Sequence, residues 1–184
     1  MTFRRIYLYA LPAIAVIALA AVFAGRLATL DDGTDVPPSA RLDQPMPPIQ
    51  LDSLYPDGPA LDTEKLRGAP YILNVWAEWC GPCKIEHPQL LTMSQQGIPV
   101  YGVNYKDRPE LARAFLAERG DPFRAIGADQ DGRTGIELGI FGVPETFLVD
   151  REGFIRHRHA GPLSEDDLER VFLPFLAHLQ EPDS

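Results

Sequence analysis

Cys80 and Cys83 are the only cysteines in the chain, and two residues separate them. Their spacing constrains the fold more than any other feature. A bond between them would close only a tiny loop, so the pair rules out a disulfide scaffold joining distant parts of the chain. Directly before it, Tyr71-Ile72-Leu73-Asn74-Val75-Trp76 is almost continuously apolar, as a strand buried in a parallel arrangement should be. From Cys80 to about Gln95 the chain reads as a helix, with Pro82 suited to the first turn, where its missing donor costs nothing. Pro88 is expected to kink it. A cysteine pair between a buried strand and a helix start points to chemistry.

The attacking species at a disulfide is a thiolate, so a redox cysteine needs its pKa lowered from about 8.5. A helix start supplies this, because unpaired N–H groups and the positive end of the helix dipole face the Cys80 sulfur. Cys80 is therefore the expected nucleophile and Cys83, one turn further in and less exposed, the resolving thiol. Structural zinc would need four ligands, and His87 could complete only part of such a site. Haem attachment requires His directly after the second cysteine, where Lys84 stands.

The remaining sequence fits one domain. Ile49 to Leu54 is a candidate edge strand, Pro99 to Asn104 a strand, and Pro109 to Glu118 a helix with Leu111, Ala114 and Phe115 on one face. Phe123 to Ile126 is a further candidate strand, and Asp129-Gln130-Asp131-Gly132 a turn opening a short helix. Glu145 to Asp150 and Phe154 to His159 flank Arg151-Glu152-Gly153 as a hairpin. The alternation of Arg156 and Arg158 with His157 and His159 suits an exposed strand. After Ser164, the residues Leu168, Val171, Phe172, Phe175, Leu176 and Leu179 form one apolar helix face. A βαβ unit, a hairpin and a terminal helix predict an α/β fold: a mixed central sheet flanked by helices on both faces.

Arg4 and Arg5 precede an uncharged apolar run, Ile6 to Gly25, of about the 20 residues a helix needs to cross a bilayer. Asp31, Asp32 and Asp35 follow it, which favours a cytoplasmic N-terminus at 1–5. A cleaved signal peptide, with Ala18-Leu19-Ala20 as the cleavage site, is the alternative, and both readings export the domain to an oxidising compartment. Residues 26–47 read as a Pro-rich linker ahead of a domain at 48–184. Beyond Arg26 the chain has 14 basic against 26 acidic residues. That excess offers no electrostatic footprint for nucleic acid.

The string Trp76-Ala77-Glu78-Trp79-Cys80-Gly81-Pro82-Cys83-Lys84 resembles the active site of thioredoxin. With Gly102-Val103-Asn104-Tyr105-Lys106-Asp107, Gly142-Val143-Pro144-Glu145-Thr146-Phe147-Leu148-Val149-Asp150 and the N-terminal anchor, the chain resembles the CcmG/DsbE family, the periplasmic thioredoxins of cytochrome c maturation. The resemblance implies a thioredoxin fold behind an N-terminal transmembrane helix in the bacterial inner membrane. It also implies a cis Pro144 facing the disulfide and a substrate surface of Trp79, Gly81, Pro82, Val143, Pro144 and Glu145. The implied partners are apocytochrome c or its maturation machinery and a membrane thiol reductase of DsbD or CcdA type. No cofactor beyond the Cys80-Cys83 dithiol is expected.

One departure matters. Thioredoxin carries a buried aspartate six residues before its first active cysteine, where this chain has Asn74, which cannot accept a proton. Glu86, three residues after Cys83 on the same helix face, is the expected replacement, and Glu145 is a second candidate. Related ResA and TlpA reductases carry a glutamate at the Glu86 spacing. A reductase of that type serving another exported protein, for example at an oxidase copper site, and a non-catalytic adapter holding apoprotein or Cu(I) are the alternative functions.

Overall fold

All six residues of Tyr71–Trp76 (β3) are buried, as the unbroken apolar run requires, because the strand lies at the centre of a sheet covered on both faces. The computed structural model describes residues 13–25 and 41–180. Val100–Tyr105 (β4), Ile126–Asp129 (β5), Glu145–Val149 (β6) and Ile155–Ala160 (β7) complete the sheet, in the order β5-β4-β3-β6-β7. β4 runs parallel to β3 and β5 parallel to β4, whereas β6 and β7 add antiparallel strands at the other side. The sheet is mixed because a helix crossover joins β3 to β4 and a tight hairpin joins β6 to β7.

Residues 13–25 form a helix (α1), and its Ile14, Val16, Ile17, Leu19, Val22 and Phe23 are exposed. In the domain, α2 spans Gly81–Gln95, α3 Pro109–Arg119 and α4 Arg133–Leu138. The terminal helix α5 runs through Glu165–Asp167, a π-helical turn at Leu168–Phe172 and Leu173–Gln180. Alternate residues of β3 point to opposite faces. Ile72 packs with Leu90 and Met93 of α2 and with Leu168, Phe172 and Leu176 of α5. Trp76 joins Ala112 and Leu116 of α3. On the other face Tyr71, Leu73 and Val75 meet Leu138 of α4, with Met46, Ile49 and Leu61. Each large apolar side chain removed from water in these layers contributes roughly 1.5–3 kcal/mol.

Several expectations shift. The edge strand shrinks to Gln50–Leu51 (β1), paired with Leu61–Asp62 (β2) in a separate two-stranded sheet. It stays attached to β5 through Leu54 N–H to the Ile126 carbonyl and Ala128 N–H to the Asp52 carbonyl. β5 is regular only from Ile126, because Asp121 Oδ1 accepts from Phe123 N–H and turns that residue so that its ring stacks on Trp76. The helix at the disulfide, by contrast, has the expected extent, running to Gln95 with Pro88 inside it. Arg41 to Pro47, assigned to the linker by composition, are bonded along the domain instead: Asp43 N–H donates to the Ile155 carbonyl and Met46 N–H to the Gly153 carbonyl, and Met46 is buried while Leu42 to Pro45 stay exposed. Strand β7 is not an exposed strand either, since His157 and His159 pack on Phe172 of α5 and Arg158 is covered on the opposite side.

Of the expected membrane helix, residues 6–12 lie outside the described residues, as do the N-terminus at 1–5, the linker from 26 to 40 and residues 181–184. Among the described residues no helix is long and apolar enough to cross a membrane.

Candidate active site

Cys80 is the N-cap of α2, with extended backbone (φ −84°, ψ 109°), and the Cys83 N–H donates to its Sγ at 3.1 Å. A sulfur in the capping position receives a donor that a serine or aspartate would otherwise satisfy, and negative charge there is favoured by the helix dipole. Cys80 and Cys83 are joined by a disulfide, so the structure is the oxidised state. Cys80 and Cys83 are 3% and 5% exposed, so the lower exposure expected of Cys83 is absent. The Val143 carbonyl covers Cys80, its oxygen 3.4 Å from Sγ. What distinguishes the two sulfurs is position: Cys80 caps the helix, and Cys83 lies within its first turn.

The strand-to-helix loop is held by the segment Asn104 to Asp107. Asp107 Oδ2 accepts from the Glu78 N–H at 2.6 Å and from Asn104 Nδ2 at 2.9 Å. Trp79 is 56% exposed, and its indole N–H donates to the Lys106 carbonyl at 3.1 Å. Lys84 pairs with Glu78 at 2.8 Å. Lys106 adopts φ 45°, an uncommon conformation for a residue with a Cβ, and this turns the chain between the carbonyl used by Trp79 and the Asp107 carboxylate. The run Asn104-Tyr105-Lys106-Asp107 was visible as a motif. Its reach back to Glu78 was not.

Glu86 is fully buried. Its Oε1 accepts from Asn74 Nδ2 at 2.8 Å and its Oε2 from the Leu163 N–H at 3.0 Å. Burial pushes its carboxyl pKa up to about 7, against two hydrogen bonds that favour the ionised form. Asn74 Nδ2 also donates to Thr146 Oγ1 at 2.9 Å, so β3, β6 and α2 are tied together at one polar point. Among the described residues Asn74 Oδ1 has no hydrogen-bond partner. His87 is turned away, its Nε2 2.9 Å from the Gly120 carbonyl oxygen and its ring against Phe115.

Pro144 follows a cis peptide bond, as the resemblance implies, and the preceding Val143 touches Cys80. Trp79, Gly81, Pro82, Val143 and Pro144 therefore come from two chain segments that meet at the Cys80 sulfur. Glu145 is engaged elsewhere. Its Oε2 receives Arg158 Nε at 2.7 Å and Nη2 at 2.6 Å, and its Oε1 accepts from the Phe141 N–H at 2.7 Å. Both side chains of this pair are buried, at 2% and 6% exposure. Sequence reasoning missed Arg158, whose only signal was a place in an alternating Arg/His strand.

Residues 41–172 match the redoxin family. The chain is 41% identical to the thiol:disulfide interchange protein HelX of Rhodobacter capsulatus, over 85% of this chain and 89% of that protein. It is 43% identical to the thiol:disulfide interchange protein DsbE of Escherichia coli, over 89% of this chain and 90% of that one. A solved structure of a thiol:disulfide interchange protein DsbE from Chlorobium tepidum superposes with a TM-score of 0.65 at 28% identity, covering 73% of this chain and 95% of the other. These matches extend over nearly the full length of the relatives, and the chain presents a CxxC disulfide at a helix start. It therefore belongs to the redoxin family, with the DsbE and HelX thiol:disulfide interchange proteins, and is a thiol–disulfide oxidoreductase.

Proposed function

We propose that this oxidoreductase works as a reductant in the periplasm, held at the inner membrane by its N-terminal segment, and keeps the haem-binding cysteines of apocytochrome c reduced before haem attachment. The observation that carries the reading is a helix-capping Cys80 whose resolving partner is followed, one turn on, by the buried Glu86. Similarity to the DsbE and HelX proteins supports the choice of substrate.

In the first step the Cys80 thiolate attacks one sulfur of the substrate disulfide. The substrate S–S bond breaks as the mixed disulfide forms, and the departing thiolate takes a proton from solvent. Cys83 then loses its proton to the Glu86 carboxylate and attacks the Cys80 sulfur. This releases the second substrate thiolate, which is protonated in turn, and closes the Cys80–Cys83 bond. Two electrons have passed to the substrate. A membrane thiol reductase of DsbD or CcdA type returns them. With a carboxyl pKa near 7, Glu86 can take and return a proton at neutral pH. Glu145, committed to Arg158 and to the Phe141 N–H, holds the loop of Pro144 rather than a travelling proton.

Replacing Cys83 by Ala stalls the cycle at the mixed disulfide. In cells this variant is expected to carry apocytochrome c on Cys80, identified by mass spectrometry of the trapped adduct. Exclusive capture of another exported protein, such as an oxidase subunit, would sink the apocytochrome assignment while leaving the chemistry. The potential, read from equilibrium with glutathione, is expected near the roughly −270 mV of thioredoxin, and a value near the −120 mV of an oxidant such as DsbA would overturn the reductant reading.

A further inference from the structure

Asn74 lies within β3, wholly buried, and its side-chain amide meets two polar groups through a single atom. Nδ2 donates to Glu86 Oε1 at 2.8 Å and to Thr146 Oγ1 at 2.9 Å, while among the described residues Oδ1 has no partner. Thr146 stands opposite Asn74 in the antiparallel pairing of β3 and β6, so the sheet itself holds the hydroxyl in place. The other carboxylate oxygen of Glu86, Oε2, accepts from the Leu163 N–H at 3.0 Å. A backbone donor on Oε2 leaves Oε1 as the oxygen that takes a proton, and a protonated Oε1 needs an acceptor in front of it. With Nδ2 in that position two donors would face each other in a buried site, at the cost of a lost hydrogen bond.

We propose that Asn74 is a positioning residue that follows the proton of Glu86 by turning its amide over, presenting Nδ2 to the carboxylate and Oδ1 to the acid. The inference rests on the reading of Glu86 as acceptor of the Cys83 proton, and adds how a fully buried carboxyl keeps a hydrogen bond in both of its states. Thr146 permits the turn, because a hydroxyl accepts from Nδ2 and donates to Oδ1. Either orientation leaves one amide group without a partner among the described residues, so no third contact holds the amide one way round. During resolution the proton leaves Cys83 Sγ and bonds to Glu86 Oε1. On re-reduction the Cys83 thiolate released from the disulfide takes it back, and the amide returns. An ionised aspartate at position 74 could not donate to the carboxylate and would face it as a like charge. The titratable groups nearby are Cys83, bound in the disulfide here, and His159 of β7, opposite Thr146 in register, whose Nε2 lies 4.0 Å from Asp167 Oδ2 of α5. His87 turns to the Gly120 carbonyl. The titration of Glu86 is set by burial, against the Leu163 and Asn74 hydrogen bonds.

The test follows the Asn74 side-chain amide by NMR in the full-length, isotope-labelled oxidised protein in detergent micelles, with the Glu86 carboxyl carbon shift recording its protonation. Cross-relaxation between the Asn74 Hδ2 protons and Thr146 Hβ is expected above a midpoint of about pH 7 and is lost below it, in step with the Glu86 titration. Glu86→Gln should fix the turned state. There the Leu163 N–H keeps the Gln carbonyl, the new NH2 group faces Asn74, and the cross-relaxation is absent at every pH. A contact that persists in the wild type while Glu86 titrates, or that survives in a folded Glu86→Gln, overturns the switch and leaves Glu86 in the proton path. Should Glu86→Gln fail to fold, the wild-type titration decides alone. Resolution of the mixed disulfide that is independent of pH in wild-type single turnovers removes Glu86 from the proton path and overturns both.

Discussion

Glu86 concentrates the physical argument of the site in one side chain. Its ordinary pKa is 4.5 and burial raises it to about 7. Between those values the folded protein retains a proton that the unfolded chain has released, so folding stability falls as pH rises through this window and levels off above it. The decline attributable to Glu86 is about 3 kcal/mol. Chemical denaturation at a series of pH values should reveal it, and Glu86→Gln should remove it. The replacement is tolerable because the Asn74 amide can turn over, offering its unpartnered Oδ1 to the new NH2 group. In single-turnover experiments the resolution of the mixed disulfide should accelerate with pH to a plateau above about 7, whereas Glu86→Gln should lose that inflection and slow resolution about a hundredfold. An unchanged pH profile in the variant would remove Glu86 from the proton path. The residue was legible in the sequence because a carboxylate three positions after Cys83 must share its helix face. Glu145 was legible only as an acid near Pro144, since its occupation by Arg158 depends on strand pairing between residues 13 positions apart.

At the level of elements, the sheet was readable where apolar runs are long, as in β3, and misread where side chains hold the backbone. β5 was placed too early because the Asp121 cap on Phe123 leaves no periodic trace. The two-residue β1 was overextended because its pairing depends on a close approach rather than on hydrophobicity. Gly127 is the contact point: a Cβ there would lie 2.6 Å from the Leu51 Cβ and 3.0 Å from the Leu61 Cβ. Gly127→Ala should therefore push the small sheet from β5, lowering stability by about 1–3 kcal/mol, as measured by the denaturation midpoint. Wild-type stability in this variant would mean that the β1–β2 sheet moves freely against β5. The hairpin of β6 and β7 carries a larger penalty. Arg158→Ala leaves the buried Glu145 carboxylate without its cation, at a cost of about 3–5 kcal/mol, and frees the end of α4. Arg158→Lys restores the charge without the planar fork, so it should recover only part of that stability.

For the whole molecule, the proposed location of the disulfide chemistry rests on the N-terminal segment. In α1 every residue is exposed, and the sequence there is apolar and uncharged throughout, so the helix presents no polar face to water. A helix that is apolar all round is buried in protein or in lipid. With the preceding residues from Ile6, the uncharged stretch has the length of a bilayer crossing, about 20 residues. For a helix inserted there, Arg4 and Arg5 on one flank and the acidic residues after Arg26 on the other favour an orientation with the domain outside. The chain should accordingly remain in the membrane pellet after alkaline carbonate extraction, and protease added to spheroplasts should degrade the domain. N-terminal sequencing of the mature protein distinguishes the two export routes. Retention of Ile6 to Gly25 supports the anchor, whereas a new terminus near Ala21 with release of the protein into the soluble periplasmic fraction would exclude it. The consequence for function is one of concentration. Under the proposed anchoring, the reductase would meet a membrane-embedded electron donor at an effective concentration set by its linker, reaching the millimolar range for short flexible tethers. Cleaving the chain between Pro37 and Pro38, with Cys80 and Cys83 intact, should therefore slow re-reduction in membrane vesicles while leaving the reaction with soluble peptide disulfides at the same rate.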